Sequence, residues 1–242
     1  MARIFITGDT HGGFRGFEGE MARFKKFEKF EKSLSKDDFL IIAGDFGFVW
    51  NMFQSDAKEE RWMKYFNDRA YTTLFIDGNH ENFDRLNSYK VSEFKGGKVH
   101  KISESVYHLM RGQIYDFDGV KIFTMGGALS IDRDRRDLGF SWWEGEMISD
   151  NDIKEAYANL AKHDCKVDVV VTHTCPRFVV SRVIKLSMAA KIDDINSKIL
   201  QDIYDKIEFK KWYFGHFHED FWIDDKFRVL YHEIEEIKIK KS

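Results

Sequence analysis

Short apolar runs alternate with amphipathic stretches along the first third of the chain. Residues 3–7 are apolar and β-branched, as a buried strand requires. Phe17, Met21, Phe24, Phe27, Phe30 and Leu34 recur at three- and four-residue steps, which predicts an amphipathic helix over 16–34 with its phenylalanines in the core. A second buried strand is predicted over 39–43, a helix over 55–68 and a third strand over 72–76. Near residue 98 the rhythm changes. Residues 106–110, 113–115 and 120–124 read as successive hairpin strands, with Asp118-Gly119 as a turn former. Ser149 followed by Asp152 predicts a helix start of capping-box type. A strand over 167–172, a helix over 195–206, a strand over 211–214 and two or three closing strands over 221–239 complete the pattern. The tail from Ile237 to Lys241 alternates as an edge strand would, with lysines guarding the edge. Alternation first, meander strands next and strands at the end predict two packed sheets flanked by helices.

Composition narrows the picture. The chain has 242 residues, 43% of them hydrophobic and 33% charged, which excludes disorder and an integral membrane protein. Pro176 is its only proline and no repeat is visible, so residues 1–242 read as a single domain. The net charge of -3 opposes broad nucleic-acid binding. Cys165 and Cys175 form no CxxC pair and read as free thiols. No charged-then-apolar segment precedes the first strand, so a cytoplasmic location is expected.

The nine histidines carry the chemistry. Five of them, His11, His80, His173, His216 and His218, fall where a predicted strand ends. The same exits carry Asp9, Asp45 and Asn79, each beside or near a glycine that allows a tight turn. In open α/β sheets, ligands collect at the carboxyl ends of strands. Asp9, His11, Asp45, Asn79, His173, His216 and His218 are too many donors for one tetrahedral ion, but two ions sharing a carboxylate would use them all. Mixed imidazole and oxygen donors suit Mn, Fe, Zn, Ni or Co better than Ca.

Asp9-Thr10-His11, Gly44-Asp45, Gly78-Asn79-His80-Glu81, the lone His173 and Gly215-His216-Phe217-His218 occur in that order. In this the chain resembles the calcineurin-like metallophosphoesterase superfamily. The resemblance spans residues 8–218 and implies a four-layer α/β/β/α sandwich of two mixed sheets. It implies that Asp9, His11 and His218 hold one divalent cation, that Asn79, His173 and His216 hold a second, and that Asp45 bridges them. His80 would face the leaving group without ligating. A water activated between cations about 3.5–4 Å apart would then attack a phosphoester in line, with His80 steadying or protonating the leaving oxygen. The expected substrate is a small phosphomonoester, phosphodiester or nucleotide. Oligomeric state is left open.

The second motif continues as Phe46-Gly47-Phe48-Val49-Trp50, without the Asp-Arg-Gly of protein Ser/Thr phosphatases. No protein-phosphatase assignment follows, and the residue that orients His80 is not identified. The loop from Gly126 to Asp137 holds three arginines and three aspartates after its glycines. Most of these charges read as a solvated salt-bridged loop, with Arg136 the candidate substrate contact. Trp142-Trp143 could line a pocket, although core packing explains them more simply. Two other readings stand beside the enzyme. One is a non-catalytic scaffold on the same fold, opposed by the complete ligand set. The other is a nuclease, supported only by the tryptophans and the arginine loop.

Overall fold

Two mixed sheets, four residues to a typical strand, form the centre of the fold. The computed structural model describes residues 2–183 and 194–239. The first sheet holds β1 (Ile4–Thr7), β2 (Phe39–Ile42), β3 (Thr72–Phe75), β4 (Val91–Phe94), β5 (Gly97–Lys101), β6 (Val106–Leu109) and β13 (Glu235–Glu236). Its order is β13-β1-β2-β3-β6-β5-β4, with β1, β2, β3 and β6 parallel. The second holds β7 (Gln113–Phe117), β8 (Val120–Met125), β9 (Val169–Thr172), β10 (Lys211–Phe214), β11 (Phe221–Trp222) and β12 (Phe227–Val229). Its order is β11-β12-β10-β9-β8-β7, with β8, β9, β10 and β12 parallel.

Three hydrophobic cores separate four layers. Ile6, Ile41, Leu74, Tyr115, Val169 and Tyr213 pack between the sheets. Helices α1 (Ala22–Glu31) and α2 (Ala57–Asn67) cover the outer face of the first sheet, where Phe24, Phe27, Trp62 and Phe66 meet Leu40, Ile42 and Phe75, and the short α3 (Phe83–Ser88) adds Leu86 to the same cluster. Helices α4 (Asp150–Ala161), α5 (Arg177–Val183) and α6 (Ile195–Tyr204) cover the second through Ala156, Leu160, Val179, Leu200 and Ile203. Strands buried on both faces read as near-continuous apolar runs, as β1, β2 and β9 do, while β3 is buried throughout although it opens on two threonines. The α/β/β/α sandwich is therefore present. No helix among the described residues is long and apolar enough to cross a membrane.

The predicted elements need four adjustments. The helix predicted over 16–34 is shorter, because Gly16 (φ +53) and the irregular Gly19 interrupt it and leave only a 3-10 turn at Gly16–Glu18. Of its phenylalanine stripe, Phe24 and Phe27 are buried but Phe30 is 57% exposed. Strands β6 and β7 form no hairpin: β6 pairs with β3 and β5 in the first sheet, β7 with β8 in the second. Gly112 (φ +69) turns the chain between sheets in a link short enough to look like a hairpin loop. The edge strand of the tail is Glu235–Glu236, antiparallel to β1. The lysines at 240 and 241 lie outside the described residues. Ser149 does form the capping box with Asp152 at the start of α4, and Cys165 and Cys175 are free thiols.

Candidate metal centre

The register aligns Thr7 with Ile42, Ile42 with Phe75, and Thr172 with Phe214. The five exits are thus side by side within their sheets, at carboxyl ends. The backbone turns there at a cost. His11 (φ 42), Asp45 (φ 49), His216 (φ 69) and His218 (φ 54) all adopt left-handed conformations. Non-glycine residues hold such conformations only where their surroundings over-determine them, and they cluster at functional sites. Gly44 (φ +94) is the extreme case, since a Cβ there would sit 2.0 Å from His173 Nδ1.

The side chains converge. Asp9 Oδ2 lies 3.1 Å from His218 Nε2 and 3.9 Å from His11 Nε2. Asp45 faces both ways: Oδ2 is 3.3 Å from His11 Nε2, and Oδ1 is 3.2 Å from His173 Nε2. Asn79 Oδ1 is 3.2 Å from the same His173 nitrogen. The His216 ring packs edge-on against His173 with centroids 5.1 Å apart, and its backbone N–H donates to Asp9 Oδ1 at 3.0 Å. The His80 backbone N–H donates to Asp45 Oδ1 at 2.7 Å. Three overlapping groups have donor atoms close enough to share an ion: Asp9-His11-His218, His11-Asp45-His80 and Asp9-Asp45-His173.

A surrounding layer of contacts sets which atom of each side chain faces inward. His173 Nδ1 donates to Ala43 O at 2.8 Å, leaving Nε2 for the centre. Glu20 Oε1 lies 3.5 Å from His11 Nδ1 and leaves its Nε2 inward likewise. Asn79 Nδ2 donates to Ser130 Oγ at 3.1 Å, turning Oδ1 inward. Glu81 accepts from the Phe46 and Gly47 amides at 2.7 and 3.1 Å and so braces the loop that presents Asp45.

Burial alone would neutralise the two aspartates. The surrounding imidazoles reverse that, lowering Asp9 from the usual carboxylate value and Asp45 well below it. Burial likewise disfavours charge on His11, but Asp45 and Glu20 outweigh it and hold His11 up to about 10. His173 is held up to about 9 against burial by Asp45 and Asp9. Burial and the neighbouring His173 push His216 down to about 4. Asp9 Oδ2 is buried, and although His218 Nε2 lies 3.1 Å away it receives no well-aligned hydrogen bond among the described residues. An orphaned carboxylate oxygen beside two imidazole nitrogens is what a transition-metal cation would satisfy. The residues fit such a group.

The eight expected residues lie near one another, but the three donor groups include His80, expected not to ligate, and leave out His216, which reaches the cluster through its ring contact with His173 and its backbone bond to Asp9. Arg136 lies beside them, donating from Nη1 to His80 Nδ1 at 3.1 Å and paired to Asp132 through Nη2 at 2.9 Å. Trp143 is core: its ring is 4% exposed, and its indole N–H donates to Asp84 at 2.9 Å. Two functional positions went unrecognised in the sequence. Glu20 gave no signal, because its partners His11, Arg23 and Tyr231 are joined to it only by the fold. Ser130 was inside the loop already noted, but nothing in the sequence links it to Asn79.

A model of the calcineurin-like phosphoesterases matches residues 2–220. No curated protein sequence matches the chain. Among solved structures, the phosphopantetheinyl hydrolase PptH from Mycobacterium tuberculosis is similar at 14% identity and a TM-score of 0.47, over 94% of this chain and 88% of that one.

Proposed function

The chain belongs to the calcineurin-like phosphoesterase family, and on that premise we propose that it is a phosphoric ester hydrolase working with two divalent transition-metal ions. The observation that carries the reading is the double aspect of Asp45, whose oxygens meet imidazoles from different sheets, His11 and His173. Asp9, His11 and His218 would hold one ion, Asn79, His173 and His216 the other, and Asp45 both. When bound, such ions neutralise phosphoryl charge and lower the pKa of water.

The protein's own groups do the rest. The layer behind the ligands presents their donor atoms already oriented, so little reorganisation remains at the moment of reaction. Arg136 can only donate, so His80 Nδ1 accepts and the ring hydrogen sits on Nε2. Burial, with Asp45 opposing and Arg136 assisting, lowers His80 below its usual value. A neutral His80 therefore offers an Nε2–H hydrogen bond to the leaving oxygen. The phosphoryl substrate is a small ester; monoester and diester both fit this scheme.

The test begins with EDTA treatment and gel filtration. The stripped protein is then reloaded with Mn, Fe, Zn, Ni or Co and given p-nitrophenyl phosphate or bis-p-nitrophenyl phosphate. Activity should vanish on stripping and return with at least one ion. Full activity after stripping, or none with any ion on either ester, would sink the reading. The second outcome would favour a scaffold.

A further inference from the structure

We infer that the substrate's alcohol portion carries a planar aromatic ring, held in the cavity beside His80; this rests on the phosphoesterase reading above. A cavity of about 340 Å³ is continuous with the metal centre, because His11 and His80 form part of its wall. Its other walls mix Phe48, Trp50 and Trp62 with polar residues that include Lys58, over a floor of Gly12 and Gly47. The floor is bare peptide: a Cβ on Gly12 would come within 2.5 Å of Gly47 O, so the two loops touch only because neither residue has a side chain.

The acids around this cavity are already engaged. Asp56 caps α2 by accepting from the Lys58 and Glu59 amides at 2.9 and 2.8 Å. Glu59 accepts from the Trp50 and Asn51 amides at 2.7 Å and from Arg85 at 2.7 Å. What remains for a ligand is the half-buried Trp50 ring beside Lys58 and Asn51, the Phe48 and Trp62 rings being nearly wholly buried; an accessible indole binds planar rings by stacking and edge contact. The volume lies at the small end of the ligand-pocket range, enough for one ring system. A phosphoryl group on the metal centre would direct its alcohol past His80, the group on the leaving-oxygen side, into this space. A larger cavity of about 720 Å³ lies behind Glu20 and Tyr231 and includes none of the metal-centre residues in its walls, so it is not placed to take that alcohol.

The experiment compares esters that leave through the same kind of oxygen but differ in the ring. Adenosine 5′-phosphate is set against ribose 5-phosphate, and 2-phenylethyl phosphate against butyl phosphate, each as monoester and as methyl diester. The ringed member should have the higher kcat/KM by about tenfold. The preference should shrink toward one in Trp50→Leu, which retains apolar bulk against Trp143. Preference in the adenosine pair alone supports a nucleotide; preference in both pairs supports aromatic alcohols in general. Ratios near one, or a preference untouched by Trp50→Leu in a protein with unchanged melting midpoint, would overturn the inference. Binding is read separately by the Trp50-dependent fluorescence change with adenosine or 2-phenylethanol against ribose. A ring-specific change absent in Trp50→Leu supports the pocket even if every ester resists hydrolysis, an outcome that would remove the phosphoesterase reading instead. No ring-specific change would count against the pocket.

Discussion

Arg136 Nη1 donates a hydrogen bond to His80 Nδ1 across 3.1 Å, joining residues 56 positions apart in the chain. A carboxylate behind an imidazole would favour its charged form; a guanidinium favours the neutral ring with its hydrogen on Nε2. Arg136→Ala should release the ring. We expect kcat on alkyl phosphates to fall by up to about 100-fold, with a smaller loss on p-nitrophenyl phosphate, whose leaving group needs less help. Metal content should hold, and nitrogen NMR should show His80 no longer confined to one tautomer. A rise in KM alone would place Arg136 on the substrate instead.

Glu20→Gln removes the carboxylate behind His11. Partners of this kind typically change metal affinity by about 10–100-fold. Calorimetric titration of the stripped protein with Mn or Zn should show a loss in that range. The Tyr231 hydroxyl and Arg23, which also meet Glu20, can still bond to the amide, so the melting midpoint should change little. Unaltered affinity would mean that His11 needs no such partner.

Gly44→Ala should fail at two levels. Its backbone sits at φ +94, and the added Cβ would collide with His173 Nδ1. The strained conformation alone costs about 1–3 kcal/mol, and relief of the collision must move His173. Denaturant unfolding should show the stability loss, and metal analysis should show depleted ion content. Retention of both would mean that the loop after β2 can shift without disturbing the centre.

Burial and the neighbouring His108 press His100 down to about 4, against about 6.5 in an unfolded chain. Between those values the unfolded chain takes up a proton that the folded chain refuses. Stability is therefore complete above about pH 6.5 and falls as pH drops toward 4. Melting midpoints of the metal-free protein should decline over this window. His100→Asn offers an amide to His108 Nδ1 in place of the imidazole nitrogen now 3.1 Å away but cannot titrate, and it should flatten part of the decline. An identical slope in the variant would assign the effect elsewhere.

The residues proposed to hold metal were legible because each follows a buried strand, a signal that survives without neighbours. The helix over 55–68 and the capping box at Ser149 were equally plain, being local. Strand β4 was not, since its exposed and half-exposed positions imitate a loop, nor was β5, whose buried Val99 and His100 stand between exposed lysines after a glycine. The sheet change after β6 was hidden by a connection as short as a hairpin's. Arg136 stood out as a cation for the site, but its partner depends on how Asp132 folds the loop back. Glu20 was hidden for the opposite reason: its role arises from contacts to Tyr231 and His11, 211 and 9 positions away, and no periodicity reports those.

The donors also fall in two blocks along the chain. Those at 9–79 belong to one sheet and those at 173–218 to the other. A growing polypeptide therefore carries half a nest until its last long strands emerge from the ribosome. Stray cations could not be captured early in the arrangement proposed for the finished protein, and ions that bound there would rivet the two halves together.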